Sequence, residues 1–291
     1  MKAIETDLLT KYYGESRGII DVSLSVDEGD FFGFIGPNGA GKSTFIRTLL
    51  GLISPTSGKA EIFGRDIVKC KIDNLRDIGY LPSETAFYSG MRVRDVLDFA
   101  AKMRGVDCTE ESRRLCERFD LDVSRKVDEL SLGNKKKVGI VCALQHKPRL
   151  YILDEPTSGL DPLMQKEFFS ILKKRNEDGA TVFLSSHVLS EIQKNCRHAA
   201  VIREGRILLT DSVSSLAHTG VKRVSLRGVT SPCELAGATD VKRENDTVSF
   251  LFSGDVSVLM ANLARESFAD INITDPELDE IFMHYYVKEG V

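Results

Sequence analysis

The residues best placed to do chemistry stand together in Gly36-Pro37-Asn38-Gly39-Ala40-Gly41-Lys42-Ser43-Thr44. Gly36, Gly41, Lys42 and Ser43 meet the spacing Gly-x-x-x-x-Gly-Lys-Ser/Thr. In that pattern the glycines let the backbone curl, so that successive N–H groups point inward at phosphate oxygens. Lys42 supplies a point charge for the outer phosphates, and the Ser43 hydroxyl is a ligand for magnesium. A dinucleotide fingerprint is excluded, because no Gly-x-Gly-x-x-Gly occurs here. A second chemical pair, Asp154-Glu155, ends the apolar run Leu150-Tyr151-Ile152-Leu153. Adjacent residues on an extended strand point in different directions, so the two carboxylates can take separate roles. Asp154 is expected to hold magnesium, directly or through water, and Glu155 to polarise the attacking water.

These groups need particular elements to position them. Phe31-Phe32-Gly33-Phe34-Ile35 reads as a buried strand before the glycine-rich loop, and Phe45 to Gly51 reads as a helix after it. The helix N-terminus then adds its positive end to the phosphate site. Ile20 to Val26 alternates with period two, as β structure does, and short strands are expected at Ala60–Phe63 and Ile78–Leu81. From about residue 87 to 147 the pattern is helical, with Val93, Val96, Leu97 and Ala100 in one stripe. Continuous apolar runs at Leu150–Leu153 and Thr181–Leu184 are expected as parallel strands buried on both faces. A helix around Met164 to Arg175 separates them. The expected fold is α/β: a P-loop NTPase core with an antiparallel β subdomain and a helical insertion. The pattern shifts near Thr219-Gly220. Domains are accordingly expected at 1–219 and 220–291, the second a small α+β unit with strands near Val224–Leu226 and Val248–Phe252 and a helix at Val256–Arg265.

With 291 residues, the chain has room for one large domain and one smaller one. The net charge of −4 gives no basic footprint for nucleic acid. No apolar run approaches the roughly 20 residues that span a bilayer, and the acidic N-terminus is not that of a secretory signal. The six cysteines are scattered, which suits reduced thiols in the cytoplasm.

Further motifs follow in order. They are Lys11-Tyr12-Tyr13-Gly14, Leu130-Ser131-Leu132-Gly133-Asn134, the stretch Asp154-Glu155-Pro156-Thr157-Ser158-Gly159-Leu160-Asp161-Pro162, and Ser185-Ser186-His187. Across residues 1 to about 215 this series resembles the ATP-binding subunits of ATP-binding cassette transporters. The resemblance implies an ATPase that uses ATP and Mg2+ and pairs head to tail with a second cassette, as a homodimer or with a related subunit. Tyr13 would stack on adenine, residues Gly36 to Thr44 would hold the phosphates, and Ser131 and Gly133 would cover the γ-phosphate held by the partner. Asp161 belongs to the same nucleotide-binding set, and His187 would contact the γ-phosphate and hold Glu155 and the water in line. The missing membrane span implies a separate transmembrane permease and a peripheral place on the cytoplasmic side of the membrane.

Two positions depart from the family pattern. Leu132 replaces a glycine and Asn134 a glutamine in the usual Leu-Ser-Gly-Gly-Gln, and a need for positive φ at 132 would cost roughly 1–2 kcal/mol. Ser83 stands where many members carry a glutamine that touches the metal, and serine is too short for that contact. Lys135-Lys136-Lys137 reads as a solvated first turn after the signature. Beyond 219 the resemblance narrows to export-type subunits, such as those of bacitracin and daunorubicin resistance exporters. In the tail, Asp275 and Pro276 suit a helix start, with Leu278, Ile281, Phe282 and Tyr285 on one face. Two rivals are a poorly hydrolysing regulatory cassette protein, suggested by the altered signature, and a non-transport cassette ATPase acting on nucleic acid or ribosomes. The single phosphate loop leaves no second fused cassette for the latter.

Overall fold

In the computed structural model the alternating N-terminal residues form two long antiparallel strands, β1 (Lys2–Tyr13) and β2 (Ser16–Asp27). The structure describes residues 1–217, 221–228, 238–264 and 268–274. Strand β3 (Phe31–Ile35), with all five residues buried, leads into the glycine-rich loop and helix α1 (Lys42–Leu49). Then come β4 (Ser57–Ile62), the short β5 (Arg65–Asp66), α2 (Lys71–Arg76) and β6 (Ile78–Leu81). Strands β2, β1, β4 and β5 form, in that order, an antiparallel sheet. Its inward residues Ile4, Leu9, Val22 and Val26 join Phe34, Phe45 and Phe183 in one core. Burial of that apolar area is the main force holding the sheet against the loop-bearing strand.

The helical insertion contains α3 (Val93–Arg104), α4 (Thr109–Arg118) and α5 (Leu132–Leu144). Ser131 caps α5, its hydroxyl accepting from the Asn134 N–H at 3.3 Å. Helix α5 therefore begins at Leu132, a full turn before the apolar stretch from Val138 that marks it in the sequence. After β7 (Leu150–Asp154) comes α6 (Pro162–Glu177), with Asp161 as N-cap and Pro162 in the first turn. Next are β8 (Thr181–Ser186), α7 (Leu189–Asn195), β9 (His198–Arg203) and β10 (Arg206–Ser212). The six-stranded sheet has the order β10-β9-β3-β8-β7-β6. The pairs β9–β3, β3–β8, β8–β7 and β7–β6 are parallel, which explains their unbroken apolar runs. The order places the ends of β3, β7 and β8 side by side, so the glycine-rich loop meets Asp154 there.

Helix α4 buries Leu115 and Cys116 and also carries ion pairs to its surroundings. Glu111 pairs with Arg175 of α6, with Arg114 at 2.7 Å and with Lys147 at 3.3 Å, while Arg118 pairs with Glu167 of α6. Helix α5, in contrast, packs apolar side chains, among them the buried Val138, Ile140, Val141 and Leu144.

The chain divides into two units between Asp211 and Ser212, somewhat before the expected position near 219, which itself lies outside the described residues. Described by itself, the second unit holds α8 (Val213–Ala217), β11 (Val221–Arg227), β12 (Ala238–Glu244), β13 (Thr247–Ser253), α9 (Val256–Leu263) and β14 (Asp270–Thr274). Its sheet runs β12-β13-β11-β14, and Val224, Leu226, Phe250 and Phe252 pack with Leu259 and Leu263 of α9. The expected helix around Leu278, Ile281, Phe282 and Tyr285 lies outside the described residues.

Candidate functional site

The turn from β3 into α1 is made by glycines for a reason that the geometry shows. Gly41 has φ 109°, a value costly for any residue with a Cβ, and a Cβ there would lie 2.8 Å from the Gly18 carbonyl oxygen. The Lys42 ammonium, buried, folds back over its own loop. It donates to Gly36 O at 2.6 Å and Pro37 O at 3.2 Å, and lies 3.2 Å from Glu155 Oε1. Two of its N–H groups are thus used by loop carbonyls, and the contact with Glu155 is one of charge.

Parallel pairing sets Asp154 opposite Ser185, and both are buried. The Ser185 hydroxyl donates to Asp154 Oδ1 at 2.6 Å, and the Ser43 hydroxyl donates to Oδ2 at 2.7 Å. The carboxylate is therefore oriented from two strands and one helix start. Ser185 was visible in the sequence only as a neighbour of His187; its part in holding Asp154 comes from strand register. Glu155 leaves the strand with φ 48°, a left-handed backbone that costs a non-glycine residue roughly 1 kcal/mol. That turn sends its carboxylate away from Asp154 and between Lys42 and His187, whose Nδ1 lies 2.7 Å from Glu155 Oε2. Because an ionised carboxylate only accepts, Nδ1 carries the proton in that bond.

The structure thus brings together Gly36, Lys42, Ser43, Asp154, Glu155 and His187. The remaining loop residues Pro37, Asn38, Gly39, Ala40 and Thr44 complete the same turn. The Tyr13 ring is 47% exposed, with Lys11 Nζ 5.6 Å from its centroid. Gly18 lies between that ring and Thr44: a Cβ there would be 3.2 Å from Tyr13 and 2.9 Å from Thr44 Cγ2. Ser131 and Gly133 sit at the start of α5, where a Cβ on Gly133 would lie 2.8 Å from Gly159 O. Asp161 spends its carboxylate on its own helix, accepting from Met164 N at 2.9 Å.

Two sequence expectations change. Leu132 occupies the first helical position with no positive φ and is 72% exposed, so the feared backbone strain is absent. Lys136 is not solvated: it is 3% exposed and donates to Pro82 O at 3.2 Å and Ser83 O at 2.8 Å. Burial pulls its pKa down to about 8, against the opposing pull of Asp154 and Glu155.

A glycine-rich loop between the central parallel strand and a helix, facing the acid-tipped strand that lies one strand away across β8, defines a P-loop nucleotide-hydrolase fold. Residues 19–158 match the ABC transporter family. The chain is 43% identical to the bacitracin transport ATP-binding protein BcrA of Bacillus licheniformis, an alignment covering 70% of this chain and 68% of that protein. It is 30% identical to the linearmycin resistance ATP-binding protein LnrL of Bacillus subtilis over 97% of each chain. A solved ATP-binding subunit of an ABC transporter superposes with TM-score 0.69 at 31% identity, covering 74% of this chain and 91% of that one. A dimeric cassette bound to ADP and phosphate superposes with TM-score 0.64 at 26% identity, covering 72% and 98%. The chain therefore belongs to the ABC transporter ATP-binding family, whose members hydrolyse ATP in step with transport, and it is an ATPase of that family.

Proposed function

We propose that this ATPase drives a membrane exporter through a separate transmembrane permease, from the cytoplasmic face, with each ATP held between two cassettes. The observation that carries this reading is the joined pair of networks Ser43–Asp154–Ser185 and Lys42–Glu155–His187. Backbone N–H groups from Gly36 to Thr44 and the start of α1 receive the phosphates, and Lys42 turns from its loop carbonyls to the outer phosphates. The hydroxyl and carboxylate of Ser43 and Asp154 are hard oxygen donors of the kind that Mg2+ prefers, and few protein ligands suffice where phosphates and water supply the rest. When bound there, Mg2+ would neutralise charge that develops on the phosphates. Glu155 takes a proton from the attacking water, and its contacts with Lys42 and His187 fix the carboxylate for that task. Tyr13 offers its exposed ring to adenine. Ser131 and Gly133, at the N-terminal end of α5, serve the nucleotide of the opposite cassette. Asp161 acts as a shape-giving cap within the nucleotide-binding segment.

Export is supported by relatives that carry bacitracin transport and linearmycin resistance in their names. Among the described residues no helix is long and apolar enough to cross a membrane. The test is affinity purification of the tagged chain from detergent-solubilised membranes. A polytopic membrane protein should co-purify and raise ATP turnover in proteoliposomes. Recovery with ribosomes or nucleic acid in its place would overturn the exporter reading.

A further inference from the structure

We propose that Lys136 is a positioning residue for ATP hydrolysis: its ammonium locks the Pro82–Ser83 turn onto α5 and so fixes that turn beside the acid pair at the end of β7.

Three segments meet at this side chain. The first is the turn that follows β6, whose Leu81 pairs with Leu153 next to Asp154. The second is the acid pair, brought close by that strand pairing, whose negative charge favours the charged form of Lys136. The third is α5 itself, with Ser131 at its cap and Lys136 in its second turn. The turn is gripped through backbone carbonyls, so the short side chain of Ser83 is not the handle. A second contact on the same face of the helix strengthens the join. Gly139 stands three residues after Lys136, and a Cβ there would lie 2.5 Å from Thr85 Cγ2. Segment 82–85 therefore docks on α5 at one polar point and one tightly packed point.

The arrangement is expensive for stability alone. A buried ammonium near a helix N-terminus loses hydration and opposes the helix dipole. No acidic residue in the first turn of α5 relieves it. Its compensation comes from two carbonyl oxygens and from the field of Asp154 and Glu155, which belong to the hydrolytic site. Without the ammonium, the turn loses its polar anchor and the two carboxylates lose a balancing charge. Nucleotide capture by residues 36–44 does not use Lys136, so the loss falls on turnover.

The test compares Lys136→Met, which keeps length and apolar stem, with Lys136→Arg in the full chain. A fluorescent ATP analogue gives affinity, phosphate release gives kcat and KM, and thermal melting reports folding. The Met variant should lose kcat by about 10-fold or more, with KM and analogue affinity within about threefold of wild type. The Arg variant, which can still donate to both carbonyls, should recover kcat to within about fivefold of wild type. Met turnover within about twofold of wild type would overturn the proposal. So would a parallel loss of nucleotide affinity, or equal kcat losses in both variants with matching falls in melting temperature, which would make the role one of packing alone.

Discussion

Replacing Glu155 by glutamine separates binding from chemistry at this site. The amide keeps the shape of the carboxylate but is a poor proton acceptor, and general-base catalysis is worth about 10²–10⁴ in rate. Turnover should therefore fall by about 100-fold or more. Binding should move in the other direction. Lys42 Nζ and Glu155 Oε1 are 3.2 Å apart with side chains 6% and 15% exposed. Two unit charges at that separation attract by about 5 kcal/mol at an effective dielectric of about 20. Desolvation of two buried ions offsets most of this, leaving about 1 kcal/mol that competes with phosphate for the ammonium. Glutamine removes the competition, so ATP should bind about fivefold more tightly. Equilibrium binding, single-turnover phosphate release and sizing chromatography with ATP read the three consequences: tighter binding, slow hydrolysis and an accumulated ATP-bound dimer. Turnover within about twofold of wild type would show that Glu155 is not the base. Weaker binding would refute the argument from the ion pair.

Lys42→Ala should nearly abolish ATP binding, because the loop loses its one buried fixed cation; wild-type affinity in this variant would remove the site from residues 36–44. Mixing Lys42→Ala with Ser131→Ala protein should restore activity above that of either variant, since a heterodimer retains one intact shared site; a mixture as inactive as its parts, with heterodimer formation demonstrated, counts against sharing. His146 gives a pH dependence. Burial, with repulsion from Arg104, lowers its pKa from 6.5 to about 4. As pH falls from 6.5 towards 4, the unfolded chain takes up this proton and the folded chain does not, so stability is lost across that window, by about 2 kcal/mol after discounting for partial exposure. Urea midpoints across the window should fall less steeply in His146→Gln, and equal slopes would remove His146 as a source.

The phosphate loop, the buried strands and the acid pair were legible because local rules dictate them. Glycines mark the turn at 36–41, and unbroken apolar runs mark β3, β7 and β8. Other features depend on partners remote in sequence. Lys136 sits within a run of three lysines, which locally reads as solvated; only the docking of residues 82–85 buries it. The concern over Leu132 dissolved because the helix opens at that residue, a fact set by the Ser131 cap rather than by apolar spacing. The hairpin β9–β10, turning at Glu204 and Gly205 with φ 51° and 78°, carries no strong alternation that would separate it from its surroundings. Ser185 gained its partner from strand register, which a single sequence does not state.

The ionic seam between α4 and α6 has a mechanical consequence. Apolar surfaces that part in water lose about 25 cal/mol for every Å² wetted. Ions that part regain hydration, which returns much of what their pairing supplied. The Arg118–Glu167 joint, with side chains 33% and 28% exposed, is therefore the more easily wetted part of this seam, whereas Glu111–Arg175 lies deeper beside the buried Leu115 and Cys116 of α4. Salt in the surrounding medium weakens the more exposed of these joints, the Arg118–Glu167 pair, and leaves the buried apolar side chains untouched. The seam thus joins a buried apolar part to a more exposed ionic part, and ionic strength is the external variable that acts on the second alone.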